Sequence, residues 1–257
     1  MLRKRIIPCL LLQEDFLVKT VRFKNPKYIG DPINAITIFN DKEVDEIIIL
    51  DILSSKNEQK INFPMIEKIV KECFVPLTYG GGVKSAKEMK QIYELGVEKI
   101  VINTNFLNNR GLLEESVDIF GSQSIVAGVD VVKSFIGDYK IYSHSQNKKT
   151  NLHFLNYLSE LEQKGVGEIF LNYVDNEGTW SGYDIKLNQI VSKKLKIPII
   201  ASGGAGSFSH IAELFKKTEV MAAAIGSMAV YQKKDYGVLI NFPLKKEREE
   251  ILNARVY

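Results

Sequence analysis

Three aspartates of this chain each follow a run of apolar residues that predicts a buried strand. Asp51, Asp130 and Asp175 end these runs, and a carboxylate in such a place is costly unless it is hydrogen-bonded or used in chemistry. Asp130, which follows Ile-Val-Ala-Gly-Val, is the strongest candidate for a general acid or base. The alternative is an aspartate that caps a helix or anchors a loop.

Two glycine turns predict binding sites for anions. Gly81-Gly82 and Gly203-Gly204 each follow a short apolar run and precede a helical pattern, and the two pairs lie 122 residues apart. Backbone N–H groups at such strand–turn–helix junctions can bind phosphate. Asn103-Thr104 and Gly226-Ser227 end the strands that follow, so we expect a substrate with two anionic ends. The alternative is that both are tight turns only.

Four charged residues begin predicted strands at the other end of the fold. They are Arg5, Glu46, Lys99 and Glu168, and their signs alternate along the chain. Arg5 shares the parity of Ile7 in its strand, because successive side chains of a strand point to opposite faces. One interpretation is a salt-bridged ring around a central axis, and the other is a set of solvated strand ends.

Apolar runs alternate with helical patterns about eight times along the chain, which predicts an α/β fold and a single (β/α)8 TIM barrel over residues 1–257. The spacing of the glycine turns, and that of Asp51 from Asp175, predicts two duplicated half-barrels of about 1–122 and 123–257. An alternating segment at 137–144 predicts an added hairpin. The strands are expected over residues 6–12, 46–52, 75–79, 99–103, 124–132, 168–175, 198–202 and 220–228.

Composition argues against several classes of function. The formal net charge of +3 is too small to predict nucleic-acid binding, and no apolar run is long enough to span a bilayer. Cys9 and Cys73 lack metal or disulfide spacing, and the three histidines are dispersed. We therefore predict a cytoplasmic protein without a metal, a cofactor, a nucleic-acid partner or a membrane segment.

Longer motifs carry a specific resemblance over essentially the whole chain. They are Lys4-Arg-Ile-Ile-Pro-Cys-Leu10, Gly30-Asp-Pro32, Leu50-Asp-Ile52, Pro76-Leu-Thr-Tyr-Gly-Gly-Gly-Val83, Phe120-Gly-Ser-Gln123, Asp175-Asn-Glu-Gly-Thr179, Gly182-Tyr-Asp184 and Ala201-Ser-Gly-Gly-Ala-Gly206. These motifs resemble the cyclase subunit of imidazole glycerol phosphate synthase. The resemblance implies a (β/α)8 barrel built from two halves.

The resemblance also implies a path for ammonia. In that family a class I glutaminase docks on the amino-terminal face of the barrel, and ammonia passes a gate of four charges before it travels along the axis. Arg5, Glu46, Lys99 and Glu168 resemble that gate.

At the other face, the resemblance implies a phosphorylated small-molecule substrate. Its phosphates would bind at the turns of Gly81 and Gly203 and near Thr104 and Ser227. Lys19, in a mobile loop, matches a position that the family uses for substrate.

One departure from the family bears on the reaction. The cyclase works with two aspartates, at the ends of strands one and five; Asp130 matches the second, but Leu11 stands where the first is expected. An aliphatic side chain cannot transfer a proton, and general acid–base catalysis contributes a factor of ~10²–10⁴. Asn176 and Glu177 also replace the usual Arg and Asp.

This pattern is similar to that of a cyclase paralogue found with surface-polysaccharide and nonulosonate genes. There a glutaminase, this barrel and an ATP-dependent amidotransferase convert a sugar N-acetyl group to an acetamidino group. The first hypothesis is therefore an ammonia-conducting synthase subunit for sugar amidination. One alternative is a working cyclase of histidine biosynthesis, in which another residue replaces the missing aspartate. The other is a non-catalytic scaffold that docks and activates a glutaminase.

Overall fold

The computed structural model describes residues 3–54 and 60–252 of the chain, and these residues form a closed barrel of parallel strands wrapped by helices. The strands are β1 (Arg5–Gln13), β2 (Phe16–Val21), β3 (Lys24–Gly30), β4 (Ile47–Asp51), β5 (Leu77–Gly80), β6 (Lys99–Ile102), β7 (Ile125–Lys133), β8 (Tyr139–Ser143), β9 (Lys148–Lys149), β10 (Glu168–Tyr173), β11 (Ile199–Ser202) and β12 (Ala222–Ile225). The barrel uses β1, β4, β5, β6, β7, β10, β11 and β12 in that order, and β12 pairs with β1 to close it.

Helices connect the barrel strands on the outside, which confirms the predicted (β/α)8 fold. They are α1 (Pro32–Asp41), α2 (Phe63–Glu72), α3 (Ala86–Glu94), α4 (Thr104–Asn108), α5 (Arg110–Phe120), α6 (Phe154–Gln163), α7 (Ile185–Lys194), α8 (Phe208–Lys217), α9 (Ser227–Val230) and α10 (Lys245–Leu252). The origin of the barrel in two duplicated halves, 1–122 and 123–257, stays a prediction.

Alternation along the strands sorts side chains between two cores. Outward side chains pack under the helices in one large cluster, whereas the inward ones form a second cluster inside the barrel. Ile7, Ile48, Val101 and Phe170 belong to the inner cluster. The inward positions therefore form layers: charges at the amino-terminal end, apolar side chains in the middle, and a cavity at the carboxyl end.

Local capping chemistry places several helix starts where the sequence predicts them. Asp31 accepts a hydrogen bond from the Asn34 N–H and precedes Pro32 at the first position of α1. Ser85 and Glu88 form a reciprocal capping box at the start of α3. These caps fix the direction in which each helix leaves its strand.

The hairpin of β2 and β3 differs from the sequence-based expectation, which left this segment as a mobile loop. β2 pairs antiparallel with β1, and the turn consists of Arg22 and Phe23, whose φ angles are +53° and +60°. Two-residue hairpin turns usually contain Asn-Gly or Asp-Gly. Arg22-Phe23 is neither, so the sequence did not predict a hairpin here. Lys19 consequently lies on a strand.

The last barrel strand is shorter than predicted. β12 ends at Ile225, and Ser227 begins the one-turn helix α9, so that Gly226 and Ser227 lie at a strand-to-helix junction. No helix within residues 3–54 and 60–252 has the length and apolar character needed to cross a membrane.

Candidate functional site

A cavity opens at the carboxyl ends of the barrel strands, with an empty volume of about 1360 Å³ that includes the part open to solvent. Leu11 on β1 and Asp130 on β7 line opposite walls, because three strands lie between them in either direction around the barrel. The predicted site residues that line the cavity are Lys19, Asp51, Gly81, Gly82, Asn103, Thr104, Asp130, Gly203, Gly204, Gly226 and Ser227.

Asp130 is a buried carboxylate held by two amides. Its oxygens accept hydrogen bonds from Asn103 Nδ2 at 2.7 Å and Asn172 Nδ2 at 2.9 Å. The pKa of Asp130 is raised to about 6, and burial is the main cause. The hydrogen bonds from Asn172 and Asn103 lower this pKa, whereas the charge of Glu177 raises it. A carboxyl group with this pKa can accept and release a proton near neutral pH, as a general acid or base must. An aspartate that only caps a helix or anchors a loop does not need a raised pKa. Asn172 was not predicted, although it shares the strand parity of Glu168.

This raised pKa predicts a pH-dependent stability difference between the native chain and Asp130→Asn. The folded-state pKa lies above the unfolded one, so the stability contributed by Asp130 is present below about pH 4 and is lost as the pH rises through about 6. The Asn variant has no such loss. We expect its stability relative to the native chain to rise by on the order of 3 kcal/mol from pH 4 to pH 7.

Urea unfolding of both proteins across this pH range measures the difference. Asp130→Asn also alters the hydrogen bonds to Asn103 and Asn172. The free-energy cost of that change does not depend on pH, so it shifts the curve of stability against pH without changing its slope. Parallel curves from pH 4 to pH 7 would mean that Asp130 titrates at its ordinary pKa.

Leu11 makes the opposite wall aliphatic. It is 9% exposed, faces the cavity, and pairs in register with Leu50 of β4, which also lines the cavity. Cys9 lies one inward position deeper on the same strand. At the positions of Leu11 and Leu50, the wall formed by β1 and β4 therefore presents no proton-transferring group opposite Asp130.

Lys19 reaches into the cavity from the hairpin. Its side chain is buried, and Nζ donates a hydrogen bond of 2.6 Å to the Cys9 carbonyl oxygen. Burial lowers the pKa of Lys19, which Cys9 and Glu177 oppose. A Cβ atom at Gly226 would come within 3.0 Å of Nζ, so the ammonium group sits against the β12–α9 junction. A cation here can contact an anionic ligand held at that junction.

Glu177 fixes the hairpin over the cavity. Its carboxylate accepts hydrogen bonds from Thr20 Oγ1 at 2.9 Å and from the Phe23 N–H at 3.0 Å. Gly178 follows, and any Cβ there would clash with the Thr20 carbonyl oxygen. Sequence analysis identified Glu177 only as a departure from the family motif. Its role in holding the hairpin could not be predicted, because its hydrogen-bond partners lie more than 150 residues away in the chain. These contacts position Lys19 through its neighbours.

We expect Glu177→Ala to loosen this hairpin. The variant loses two hydrogen bonds to a charged acceptor, each worth about 1.5–3 kcal/mol at most. Amide hydrogen exchange in residues 17–30 should therefore accelerate by roughly 10–100-fold. Asp175→Ala is the matched control, because the Asp175 carboxylate binds the Lys133 N–H of the other hairpin instead. Equal exchange in residues 17–30 for both variants would contradict this role of Glu177.

The two glycine turns face each other across the cavity. Gly81 and Gly203 have φ angles of +126° and +96°, which disfavour any side chain. A Cβ at Gly81 would overlap the Asp51 carbonyl oxygen, and one at Gly203 would overlap that of Tyr173. Both turns therefore need glycine for backbone packing, and they also line the cavity on opposite sides.

The remaining two aspartates have structural partners. Asp51 lines the cavity, and its carboxylate accepts hydrogen bonds from the Leu53 and Ser54 N–H groups and from the Ser54 hydroxyl. Asp175 is not among the residues lining the cavity. Its Oδ2 accepts a bond of 2.8 Å from the Lys133 N–H, so it anchors the end of β7.

At the amino-terminal end of the barrel, the four predicted charges meet in a closed cycle, which we call the charged ring (Arg5, Glu46, Lys99 and Glu168). Arg5 contacts Glu46 at 2.6 Å and Glu168 at 3.1 Å, and Lys99 contacts the same two carboxylates at 3.3 Å and 3.1 Å. Thr78 Oγ1 donates a further bond to Glu46. These are shared, largely buried ion pairs, not separate solvated strand ends.

The inner apolar cluster fills the barrel between the charged ring and the cavity. Ile7, Ile48, Val101 and Phe170 are buried there, and Val101 and Phe170 also line the floor of the cavity. A small neutral molecule meets no charge beyond the ring until it reaches this floor. An ion would lose its hydration in the same apolar layer, which is costly.

Fold and site together define a (β/α)8-barrel protein with its cavity at the carboxyl ends of the strands. Residues 5–235 match the family model described as histidine biosynthesis protein. A "Putative imidazole glycerol phosphate synthase subunit hisF2" of Pseudomonas aeruginosa is 46% identical over 243 residues, which cover 95% of this chain and 97% of that protein.

Other relatives extend the match. A HisF homologue of Leptospira borgpetersenii is 41% identical, covering 98% of this chain and 99% of that protein. The imidazole glycerol phosphate synthase subunit HisF of Methanococcus vannielii is 34% identical, covering 91% of this chain and 94% of its own length. The chain belongs to the HisF family of histidine biosynthesis proteins.

Proposed function

We propose that this chain is a cytoplasmic, HisF-like synthase subunit that receives ammonia from a class I glutaminase and supports its transfer to a sugar. The glutaminase docks on the amino-terminal face. Ammonia passes the charged ring and the apolar interior, and emerges in the cavity. The acceptor is an N-acetyl group of a sugar or nucleotide-linked sugar, which becomes an acetamidino group.

The observation that carries this proposal is the combination of a closed ring with an aliphatic Leu11. The four ring residues form mutual ion pairs, which supports a use for the axial path. The mouth, by contrast, has a leucine where an acid would face Asp130. A barrel that conducts ammonia without its own acid–base pair suits delivery to chemistry performed with help from another protein.

Amidination itself needs activation that a barrel of this kind does not supply alone. The oxygen of an amide is a poor leaving group, so ATP must first convert it to a phosphate or adenylate ester. Ammonia then attacks the activated carbon, and phosphate or AMP leaves with the oxygen. We assign the ATP-dependent step to a separate amidotransferase partner.

The second candidate is a cyclase subunit of histidine biosynthesis, which converts a ribulosyl aminoimidazole carboxamide intermediate and ammonia to imidazole glycerol phosphate. Asp130 with its raised pKa and the buried Lys19 favour it, since both groups suit proton transfer and anion binding at the mouth. A third candidate is a scaffold that only docks and activates the glutaminase.

A cyclase assay with ammonium salts and the ribulosyl aminoimidazole substrate separates the first candidate from the second. Ammonium salts replace the glutaminase, so the assay reports only on the barrel. The proposal predicts turnover at least ~10²-fold below that of a working cyclase, because one of two acid–base groups is absent. Turnover comparable to a working cyclase would overturn it in favour of the second candidate.

The glycine turns are expected to bind the phosphates of the substrate. Gly203→Ala should weaken phosphate binding, because the Cβ atom would press on the β10 backbone and displace the turn. Gly137→Ala is the matched control, since Gly137 also has a positive φ but has open space around its Cβ position. Phosphate titration by calorimetry should show a weaker affinity for Gly203→Ala alone. Equal affinities would count against anion binding at this turn.

A further inference from the structure

Two large apolar side chains stand in solvent at the tip of the hairpin formed by β7 and β8. Phe135 is 104% exposed and Ile136 is 81% exposed. Single exposed apolar residues are common on protein surfaces, but an adjacent pair held at a turn is a typical anchor for a partner protein. We call this feature the hairpin tip (Ser134–Gly137).

The hairpin tip is held in one shape by its own hydrogen bonds. The Gly137 N–H donates to the Ser134 carbonyl oxygen at 3.0 Å, and the Ser134 N–H donates to the Asp138 carbonyl oxygen at 2.7 Å. The Ser134 hydroxyl accepts a further bond from the Asp138 N–H. Phe135 and Ile136 are therefore presented outward by a closed turn, which lowers the entropy cost of burying them against a partner.

The strand ends next to the hairpin tip are anchored to the barrel, because Lys133 and Tyr139 form the last pair of β7 and β8 before the turn. Tyr139 donates to the carboxylate of Asp184, the residue that caps α7. The Lys133 N–H donates to Asp175. These hydrogen bonds hold the hairpin tip in a fixed position relative to the barrel wall.

β8 leads from the hairpin tip back to the mouth of the cavity, because its far end lies along the inner part of β7. His144, at the end of β8, lines the cavity and packs edge-on against Phe23, with ring centroids 5.0 Å apart. Phe23 belongs to the hairpin that holds Lys19 over the cavity. A protein bound at the hairpin tip would also touch the rim from which ammonia leaves.

Charge around the hairpin tip restricts what can bind. Residues 133–149 contain four lysines and one aspartate, a net charge of +3 that the carboxylates of Asp175 and Asp184 against this hairpin reduce to +1, and Lys148 and Lys149 are exposed. A second copy of this chain would bring two such charges together, which is unfavourable. An acidic surface with an apolar pocket is the complementary partner.

We propose that the hairpin tip docks the enzyme that consumes the ammonia, an ATP-using amidotransferase with an apolar pocket bordered by acidic residues. This inference rests on the proposed function. Ammonia released into bulk water at neutral pH is captured as ammonium, so its consumer must cover the mouth. The hairpin tip and its lysines offer such a consumer an apolar and basic docking surface.

Photo-crosslinking in the producing organism tests this docking surface. The full-length chain carries p-benzoylphenylalanine at position 135, and the control carries it at position 119, because Ile119 is exposed on helix α5. Position 135 should crosslink to one protein, identified by mass spectrometry, that incorporates ammonia at the expense of ATP when purified. A crosslink to a second copy, to lipid, to nucleic acid or to a protein without this activity would overturn the proposal, as would no crosslink above the control.

Affinity measurements between the purified partners provide the second test. Phe135→Asp and Ile136→Asp should each weaken binding by roughly 30-fold or more, as expected for buried anchors. Lys148→Glu should mainly slow association and reduce its salt dependence. Unchanged affinity in both tip variants would overturn the docking surface.

The two proposals fail in distinguishable ways. Cyclase turnover by the chain alone overturns the proposed function, whatever the hairpin tip binds. A negative cyclase assay together with tip variants that leave sugar amidination unchanged in the reconstituted system overturns only the docking surface.

Discussion

Lys99→Ala and Arg5→Ala are expected to uncouple glutamine hydrolysis from product formation. Each substitution removes a cation shared by Glu46 and Glu168. Leaving a buried carboxylate without its partner costs about 3–5 kcal/mol, so the ring should rearrange or admit water. The ratio of glutamate released to sugar amidinated in the reconstituted complex should rise from near one to several-fold above it.

Lys90→Ala is the control for this pair of variants. Lys90 forms an exposed ion pair with Glu94 on helix α3, and its side chain is 70% exposed, so its loss should leave the ratio unchanged. Circular dichroism of all three variants is the check that each of them folds. A ratio near one in folded Lys99→Ala and Arg5→Ala would mean that the ring is not a gate.

Leu11→Asp is expected to raise the cyclase activity of the barrel far above that of the native chain. The new carboxylate would face Asp130 across the cavity, and thereby supply the second group for proton transfer. Because general acid–base catalysis contributes ~10²–10⁴-fold, turnover with ammonium salts should rise by at least ~10²-fold over the native chain.

Leu50→Asp is the matched control, since Leu50 pairs in register with Leu11 and lines the same wall from the neighbouring strand. It adds the same charge to the cavity at the wrong position. Equal turnover in the two variants would show that a carboxylate anywhere in the cavity suffices. No gain in Leu11→Asp would mean that other residues, such as Glu177, also prevent the cyclase reaction.

The sequence alone predicts the barrel and its two ends because both depend on local patterns. Strand parity predicts that Arg5 points inward with Ile7, and apolar runs predict which residues end strands at the mouth. Asp31 and Ser85 predict helix starts through their own caps. These features need only a few neighbouring residues to be recognised.

Contacts between distant segments explain what sequence analysis missed. The β2–β3 hairpin turns at Arg22 and Phe23, which carry no turn signature, and it is held by Glu177 from the other half of the chain. Asp175 stays a predicted site residue, and its carboxylate also binds the Lys133 N–H of a distant strand. The hydrophobic pattern near each residue predicts neither the contacts of Glu177 with the β2–β3 hairpin nor that of Asp175 with Lys133.

One isotope measurement tests directly whether ammonia travels inside this barrel. The reconstituted complex receives glutamine labelled with ¹⁵N at the amide, together with a large excess of unlabelled ammonium in the buffer. If ammonia travels inside the barrel, the nitrogen newly added to the acetamidino group should be almost entirely ¹⁵N, and Lys99→Ala should lose this enrichment. A product whose label is diluted to the buffer composition in the native complex would mean that ammonia passes through bulk solvent, and would contradict transport inside the barrel.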